Sequence, residues 1–184
     1  MHDLVILTGA SRGMGLAMAR QLLQPGTVLL CLSRQSNAEL TTLAEQRRAT
    51  LVQWRVDLAD PAPVAAQLAR WLAGLDAPSL ASATLINNAG VIPSIVPLAN
   101  CPATELAQAL RVGLEAPMQL TAAFLRTTAA WVDAGWRGPR KVLNISSGLG
   151  RRAMASQAPY CAAKAGMDHF TRCAALDEAQ HPHG

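Results

Sequence analysis

The chain has few long apolar runs, few aromatic side chains and no closely spaced cysteines. None of its 184 residues lies in a run approaching the ~18 apolar residues of a membrane span. The N-terminal stretch MHDLVILTGAS contains an acid and only a short apolar run, so it lacks the form of a secretory signal. The cysteines show neither metal-ligand nor redox spacing. These absences predict a cytoplasmic protein with reduced thiols, no metal site and no membrane partner, its cysteines being Cys31, Cys101, Cys161 and Cys173.

Lysine is nearly absent as well, although the chain is basic. Sixteen Lys plus Arg against twelve Asp plus Glu give a net charge of +4, and only Lys141 and Lys164 are lysines. The arginines are scattered, with Arg47–Arg48 and Arg151–Arg152 as the only doublets. Without a basic stripe, no nucleic-acid partner is predicted. The 51% hydrophobic content suits a single domain over residues 1–184 with a substantial core.

Short apolar runs alternate with longer segments of helical period. This alternation predicts parallel strands joined by right-handed helical crossovers, with helices on both faces of the sheet. We therefore expect a doubly wound α/β domain of the Rossmann type. The predicted strands are 4–8, 27–33, 50–56, 83–88 and 141–146, and the predicted helices are 13–24, 37–48, 61–74, 103–131 and 157–178.

A glycine-rich stretch, TGASRGMG, lies where the first strand turns into the first helix. Glycines there let the backbone approach a pyrophosphate, and the amides that open the helix meet its negative charge. A plain turn is the alternative, but strand, glycine spacing and helix together favour nucleotide binding. The predicted contacts in this stretch are Gly9, Ser11, Arg12, Gly13, Met14 and Gly15.

The choice of nucleotide depends on residues about 20 positions further on. An acid there binds the ribose 2'-hydroxyl, whereas an arginine accepts a 2'-phosphate. This chain has Ser33 and Arg34 at that place, and Arg12 can supply a second cation. Both arginines could be ordinary surface residues, but their positions favour NADP(H) over NAD(H).

The only tyrosine, Tyr160, lies four residues before Lys164 in the stretch PYCAAK. In a helix the two side chains share one face, so the ammonium can reach towards the phenol. A phenol titrates near ~10 in water, and a neighbouring cation favours its ionised form. Such a pair can move a proton near neutral pH, although these two residues alone also fit an ordinary surface pair.

Taken together, the motifs resemble those of the short-chain dehydrogenase/reductase family. They are TGASRGMG, Asp57-Leu58, NNAG at 87–90, NISS at 144–147 and YCAAK, in order from residue 8 to residue 164. The helix YCAAKAGMDHFTRCAALDE is also similar to that of sepiapterin reductase-like members. The resemblance implies an NADP(H)-dependent oxidoreductase that interconverts small carbonyl and alcohol substrates.

The resemblance also implies roles for particular residues. Tyr160 would be the general acid/base, Lys164 its activator and a contact of the nicotinamide ribose, and Ser147 a hydrogen-bond partner of the substrate oxygen. A hydride arriving at a carbonyl carbon builds negative charge on oxygen, which such groups stabilise. Ser146 is the rival for the serine role, but adjacent strand residues face opposite ways. Further cofactor contacts would be Asp57 and Leu58 beside the adenine, and Asn87, Ala89 and Gly90 beside the ribose.

The chain departs from the family pattern at Gly113, where members usually carry asparagine. The family's proton relay also uses the backbone carbonyl at this position, through a water. Pro117 has no N–H, so it cannot form the helical bond that would occupy the Gly113 carbonyl. We therefore predict a kinked helix whose carbonyl serves the relay, which keeps Gly113 among the catalytic positions. The alternative is a nucleotide-binding protein without turnover, a sensor or an inactive remnant.

The sequence ends after the helix that follows the fifth strand, where family members typically continue. Two further strands and a substrate loop are missing, which would leave an apolar sheet edge exposed. We expect either a longer natural polypeptide, which we favour, or a partner over this edge. The outward faces of helices 103–131 and 157–178 predict a homodimer or homotetramer, as in many members of the family.

Overall fold

The structure is a computed structural model, and it describes residues 1–180. Its five strands form one parallel sheet in the order β3-β2-β1-β4-β5. This order confirms the predicted doubly wound sheet, in which β2 and β3 are added on one side of β1, and β4 and β5 on the other. The strands are β1 (His2–Thr8), β2 (Thr27–Ser33), β3 (Thr50–Arg55), β4 (Leu80–Asn87) and β5 (Arg140–Asn144).

Helices cover both faces of this sheet because the central strands are apolar on both sides. In β1, Leu4 and Ile6 belong to one core cluster, and Val5 and Leu7 belong to the other. Successive strand residues face opposite sides, so one unbroken apolar run supplies both layers. The helices are α1 (Gly13–Leu22), α2 (Ala38–Arg47), α3 (Pro61–Ala73), α4 (Ala103–Leu110), α5 (Ala116–Asp133) and α6 (Ala158–Gln180).

The segment predicted as a single helix over 103–131 is interrupted. A π-helical turn, Arg111–Glu115, separates α4 from α5, and the Ala116 N–H donates to the Arg111 carbonyl five residues earlier. Pro117 in the first turn of α5 cannot donate a backbone hydrogen bond, which favours an irregular turn here. The predicted departure from α-helical geometry is therefore present, and it takes the form of a π turn.

Strand β5 ends earlier than predicted, at Asn144. Ser146 and Ser147 therefore follow the strand, and Ser147 precedes a short 3-10 turn, Gly148–Gly150. Since all five strands are parallel, their carboxyl ends meet at one edge of the sheet. The motif-bearing loops after β1, β2, β3, β4 and β5 are brought together there.

The four cysteines are free thiols, as expected for a reduced protein. Cys31 is buried in β2, and this burial raises the pKa of its thiol to about 12. Among residues 1–180, no helix combines the length and apolarity that crossing a bilayer requires.

Candidate active site

The turn between β1 and α1 forms one wall of a cleft of about 310 Å³ at the carboxyl edge of the sheet. Gly9 and Gly13 have φ of +73° and +56°, a conformation that costs most other residues free energy. Gly15 is needed for space, because a Cβ there would overlap the Gly9 carbonyl oxygen. The turn thus exposes backbone beside the N-terminus of α1, which suits a pyrophosphate group.

A buried threonine joins this turn to the loop after β4. The Thr8 hydroxyl accepts hydrogen bonds from the backbone N–H groups of Asn88 and Ala89, both at 2.9 Å. In return, the Asn88 side-chain amide donates to the Thr8 carbonyl at 3.0 Å. Thr8 and Asn88 were not among the predicted contacts, although each belongs to a recognised motif.

Most of the predicted cofactor contacts line the cleft, whereas Asn87, Tyr160 and Lys164 do not. The residues lining the cleft are Gly9, Ser11, Arg12, Gly13, Met14, Gly15, Ser33, Arg34, Asp57, Leu58, Ala89 and Gly90, joined by Leu32, Val56, Asn88, Val91, Gln108 and Val112. Asn87 lies outside the cleft, since its side chain is 1% exposed and turned into the interior. There its amide donates to Thr121 and Asn144, so Asn87 links β4 to α5 and β5.

Two exposed arginines line the cleft, one from the glycine turn and one from the residue that follows β2. The side chains of Arg12 and Arg34 are exposed at the cleft, and no carboxylate of the described residues forms an ion pair with either. Ser33 is buried, and its hydroxyl accepts a hydrogen bond from the Ala10 N–H at 2.9 Å. Ser33 therefore holds the glycine turn against β2.

Tyr160 and Lys164 share one face of α6. The Lys164 ammonium lies 5.8 Å from the centroid of the Tyr160 ring and donates to the Ile145 carbonyl at 2.7 Å. Lys164 is only 4% exposed, and this burial lowers the pKa of its ammonium, while the charge of Asp168 acts in the opposite direction. A Cβ on Gly90 would lie 3.9 Å from the ammonium, so the pair lies beside the nucleotide cleft.

The two serines after β5 differ in their surroundings. The Ser147 hydroxyl accepts from the Leu149 N–H at 3.2 Å and so caps the turn that follows. This turn packs on α6, because a Cβ on Gly150 would lie 3.1 Å from the Lys164 carbonyl. The Ser146 hydroxyl is buried and has no hydrogen-bond partner among the described residues. Ser147 thus lies on the rigid turn next to the helix that carries Tyr160.

Gly113 lies in the π turn, against α6. A Cβ at this position would come within 3.1 Å of the Ala163 Cβ, which is tighter than ordinary van der Waals contact. One turn further along α6, Leu114 occupies the space above Gly166, where a Cβ would lie 2.8 Å from a Leu114 methyl group. Glycine at 113 therefore allows α6 to approach the π turn, a packing reason that the sequence did not reveal.

This arrangement defines a dinucleotide-binding α/β protein with a tyrosine-lysine pair beside the cleft. The family model for short chain dehydrogenase matches residues 3–182, and the chain belongs to that family. It is 35% identical over 177 residues to benzil reductase ((S)-benzoin forming) of Bacillus cereus, covering 96% of this chain and 69% of that protein. Sepiapterin reductase of Xenopus laevis is 32% identical over 186 residues, covering 95% of this chain and 68% of that protein.

Solved structures agree with the fold. A short-chain dehydrogenase/reductase from Burkholderia vietnamiensis is 37% identical with a TM-score of 0.79, covering 95% of this chain and 77% of that chain. A metagenomic short-chain oxidoreductase in complex with NADP is 29% identical with a TM-score of 0.77, covering 97% of this chain and 77% of that chain. Another solved structure of the same fold, from Brucella melitensis, is in complex with NAD.

Proposed function

We propose that the chain forms the cofactor-binding and catalytic part of an NADP(H)-dependent oxidoreductase that reduces a ketone or aldehyde, or runs the reverse reaction. The observation that carries this proposal is the buried Lys164 ammonium on the same helix face as Tyr160, beside Gly90 of the cleft. Burying a cation is costly, so its position against the only tyrosine suits a functional pair better than a packing role.

The cleft suits a dinucleotide because its glycine turn leaves space that side chains would fill. NADP(H) is favoured over NAD(H) because Arg12 and Arg34 line the cleft, neither forms an ion pair with a carboxylate of the described residues, and the residue that follows β2 is Arg34 rather than an acid. An arginine fork matches the geometry of a phosphate, whereas an acid would repel it. NADP(H), when bound, would supply the hydride for reduction.

The chain's own side chains would handle the proton and the charge on oxygen. Tyr160 donates its hydroxyl proton to the substrate oxygen, and the Ser147 hydroxyl donates a hydrogen bond to the same oxygen. The Lys164 ammonium stabilises the negative charge left on the phenol. In the reverse direction, the Tyr160 oxygen accepts the proton of the alcohol. The π turn at Gly113 would offer its carbonyl to a relay water, as predicted from Pro117.

A nucleotide-binding protein without turnover is the second candidate. It is favoured by Gly113, where the family's usual asparagine is replaced by a residue that lets α6 pack more closely. In that case the tight approach of Ala163 would serve stability, and the relay would be lost. This candidate retains the cleft and its cation pair but predicts no consumption of NADPH.

NADPH binding, measured beside NADPH oxidation over a panel of carbonyl compounds, separates the two candidates. The panel includes benzil, because the chain resembles benzil reductases. We expect binding and oxidation with at least one ketone. Tight binding with no oxidation of NADPH on any substrate would favour the protein without turnover.

Assembly is a further prediction, based on the outer face of the α4–α5 segment. Leu110, Leu114 and Met118 line a shallow surface depression there, and Met118 is 46% exposed. We infer that this face pairs with a second copy in a homodimer or homotetramer. Sedimentation at micromolar concentration tests this, and a strictly monomeric species would contradict it.

A further inference from the structure

An acidic side chain extends the Tyr160–Lys164 pair by one further turn of α6. Tyr160, Lys164 and Asp168 follow one another at intervals of four residues, so they form a row along one face of the helix. Lys164 is buried, and its two neighbours in the row are half-buried. A phenol, an ammonium group and a carboxylate are therefore aligned on the helix that carries the proposed chemistry.

The turn after β5 shows where the Asp168 carboxylate lies. A Cβ on Gly150 would lie 2.9 Å from Asp168 Oδ2 and 3.1 Å from the Lys164 carbonyl oxygen, so both residues meet the same side of this turn. The side chain of a helical residue lies over the preceding turn, which directs this carboxylate back towards Lys164. Glycine at position 150 leaves room for the carboxylate, in a turn that begins at Ser147.

Lys164 lies where its charge needs such support. Its ammonium donates to the Ile145 carbonyl at 2.7 Å and lies 3.9 Å from the Met167 sulfur, neither of which is an anion. Burial lowers the pKa of the ammonium, and the negative charge of Asp168 acts in the opposite direction. Only the ammonium form can stabilise a negative charge on the phenol, so the loss of its proton would remove that assistance.

The elements packed around Lys164 bring no other buried charge to it in the part of the chain that the structure describes. The loop after β4 has no charged side chain between residues 87 and 104, and Glu105 on α4 accepts two hydrogen bonds from that loop. Cys161 on α6 is a half-buried free thiol. Asp168 is thus the carboxylate placed to act on Lys164. The other charged or titratable side chains on the π turn, the turn after β5 and the adjoining part of α6 are exposed, where water screens them: Arg111, Glu115, Arg151, Arg152 and His169.

We propose that Asp168 is a positioning residue that acts through Lys164, because its carboxylate keeps the buried side chain in the ammonium form beside the phenol of Tyr160. The two groups do not form a direct ion pair, so the charge acts across the helical turn between them, where screening is weaker than in water. Asp168 does not line the nucleotide cleft. The inference rests on the proposed function, because it assigns a role towards the same pair of side chains.

The chain has only two lysines, Lys141 and Lys164, which makes the proposal directly measurable. An isotopic carbon label at Cε of lysine gives one NMR signal for each, and Lys164→Met identifies the signal of Lys164. A titration of the full chain towards alkaline pH, without added nucleotide, then reports where Lys164 loses its proton. Asp168→Asn keeps the shape of the side chain but removes its charge, so the Lys164 titration should move to lower pH while that of Lys141 stays in place. Asp168→Glu keeps the charge and should restore most of the shift.

Asp177→Asn is the matched control, since Asp177 is an exposed acid further along the same helix. It removes the same charge from the chain and should leave the Lys164 titration unchanged. The corresponding kinetic measurement is the pH profile of kcat for reduction of a ketone such as benzil by NADPH. In Asp168→Asn, the decline of kcat at alkaline pH should begin at lower pH than in the wild-type protein, and Asp168→Glu should reverse this change.

Identical Lys164 titrations in the wild-type protein and in Asp168→Asn would overturn the proposal. An equal shift in Asp177→Asn would also overturn it, because any loss of negative charge would then be sufficient. A shifted NMR titration with an unchanged pH profile of kcat would overturn the role of Asp168 in the reaction. If the wild-type chain reduces no ketone, the proposed function fails, and the NMR titration still decides whether Asp168 keeps Lys164 charged.

Discussion

The cofactor cleft and the catalytic helix are adjacent but differ in how they satisfy their polar groups. Around the glycine turn, the side chains of Thr8, Ser33 and Asn88 all bond to backbone atoms. Around the start of α6, the Ser146 hydroxyl and the Gln157 side-chain oxygen are buried without a hydrogen-bond partner in the described part of the chain, and a cation is buried at Lys164.

This difference indicates that the cleft binds the ligand and that the start of α6 carries the chemistry. Satisfied polar groups hold a backbone shape, so the cleft is built to receive a ligand without rearranging. A buried charge such as that of Lys164 costs stability, and proteins usually retain one where chemistry needs it. Variants at the catalytic helix should therefore change turnover most, and variants at the cleft should change affinity or selectivity.

The largest expected effect is at Tyr160. Tyr160→Phe keeps the ring and its packing but removes the hydroxyl, so turnover should fall by at least ~10²-fold, the usual scale for a lost general acid. The dissociation constant of NADPH should be unchanged. Steady-state kinetics beside fluorescence titration with NADPH measure both quantities. Undiminished turnover would be enough to discard Tyr160 as the proton donor.

Lys164→Met should affect both turnover and cofactor binding. The variant removes the cation beside the phenol and the proposed contact with the nicotinamide ribose, so turnover and NADPH affinity should fall together. Any remaining rate of alcohol oxidation should rise towards higher pH, because in that direction the phenol must be ionised to accept the proton, and an unassisted phenol ionises only there. A variant with lower turnover but unchanged affinity for NADPH would show that Lys164 acts in catalysis and does not contribute to cofactor binding.

The same variant gives a pH test of stability. Burial lowers the pKa of the Lys164 ammonium below its ordinary 10.5, so the unfolded chain holds this proton more tightly than the folded chain. The free energy of unfolding of the wild-type protein should therefore increase relative to that of Lys164→Met as pH rises from the lowered pKa towards 10.5. Urea unfolding of both proteins across this range measures the difference, and parallel profiles would contradict the burial effect.

Arg34→Asp should change selectivity more than turnover. The cation that we propose to face the 2'-phosphate becomes a repulsive anion, so most of the expected preference for NADPH over NADH should be lost. Arg70→Asp is the matched control, since Arg70 is an exposed arginine on α3 outside the cleft. Ratios of kcat/KM for the two cofactors check the outcome. An unchanged ratio in the Arg34 variant would remove the case for NADP(H).

The smallest effect on turnover is expected for Gly113→Asn. If the backbone carbonyl already serves the relay, the added side chain should change the rate only modestly. Its Cβ would crowd Ala163, so the free energy of unfolding should drop by about 1–3 kcal/mol. Adding Ala163→Gly should recover part of that stability. A large gain in turnover would show instead that the missing asparagine limits the enzyme.

Much of the fold and of the cleft could be predicted because the signals are local. Glycine spacing, apolar runs and the Tyr160–Lys164 interval each act over a few residues, and the alternation of strands and helices with right-handed crossovers predicts a parallel sheet. The inward turn of Asn87 could not be predicted, since adjacent strand-end residues face opposite sides and the choice depends on Thr121 and Asn144. The contact between Gly113 and Ala163 joins residues 50 positions apart, so only the packed structure reveals it.

The most direct test of the account is transfer of deuterium to a ketone such as benzil from NADPH that carries deuterium at both hydrogen positions of the reactive carbon. If the cofactor and the carbonyl group bind next to each other in one site, the product alcohol should gain one deuterium for each NADPH consumed. Mass spectrometry measures this. NADPH that binds tightly while no ketone gains the label would contradict the catalytic assignment and leave a nucleotide-binding protein without turnover.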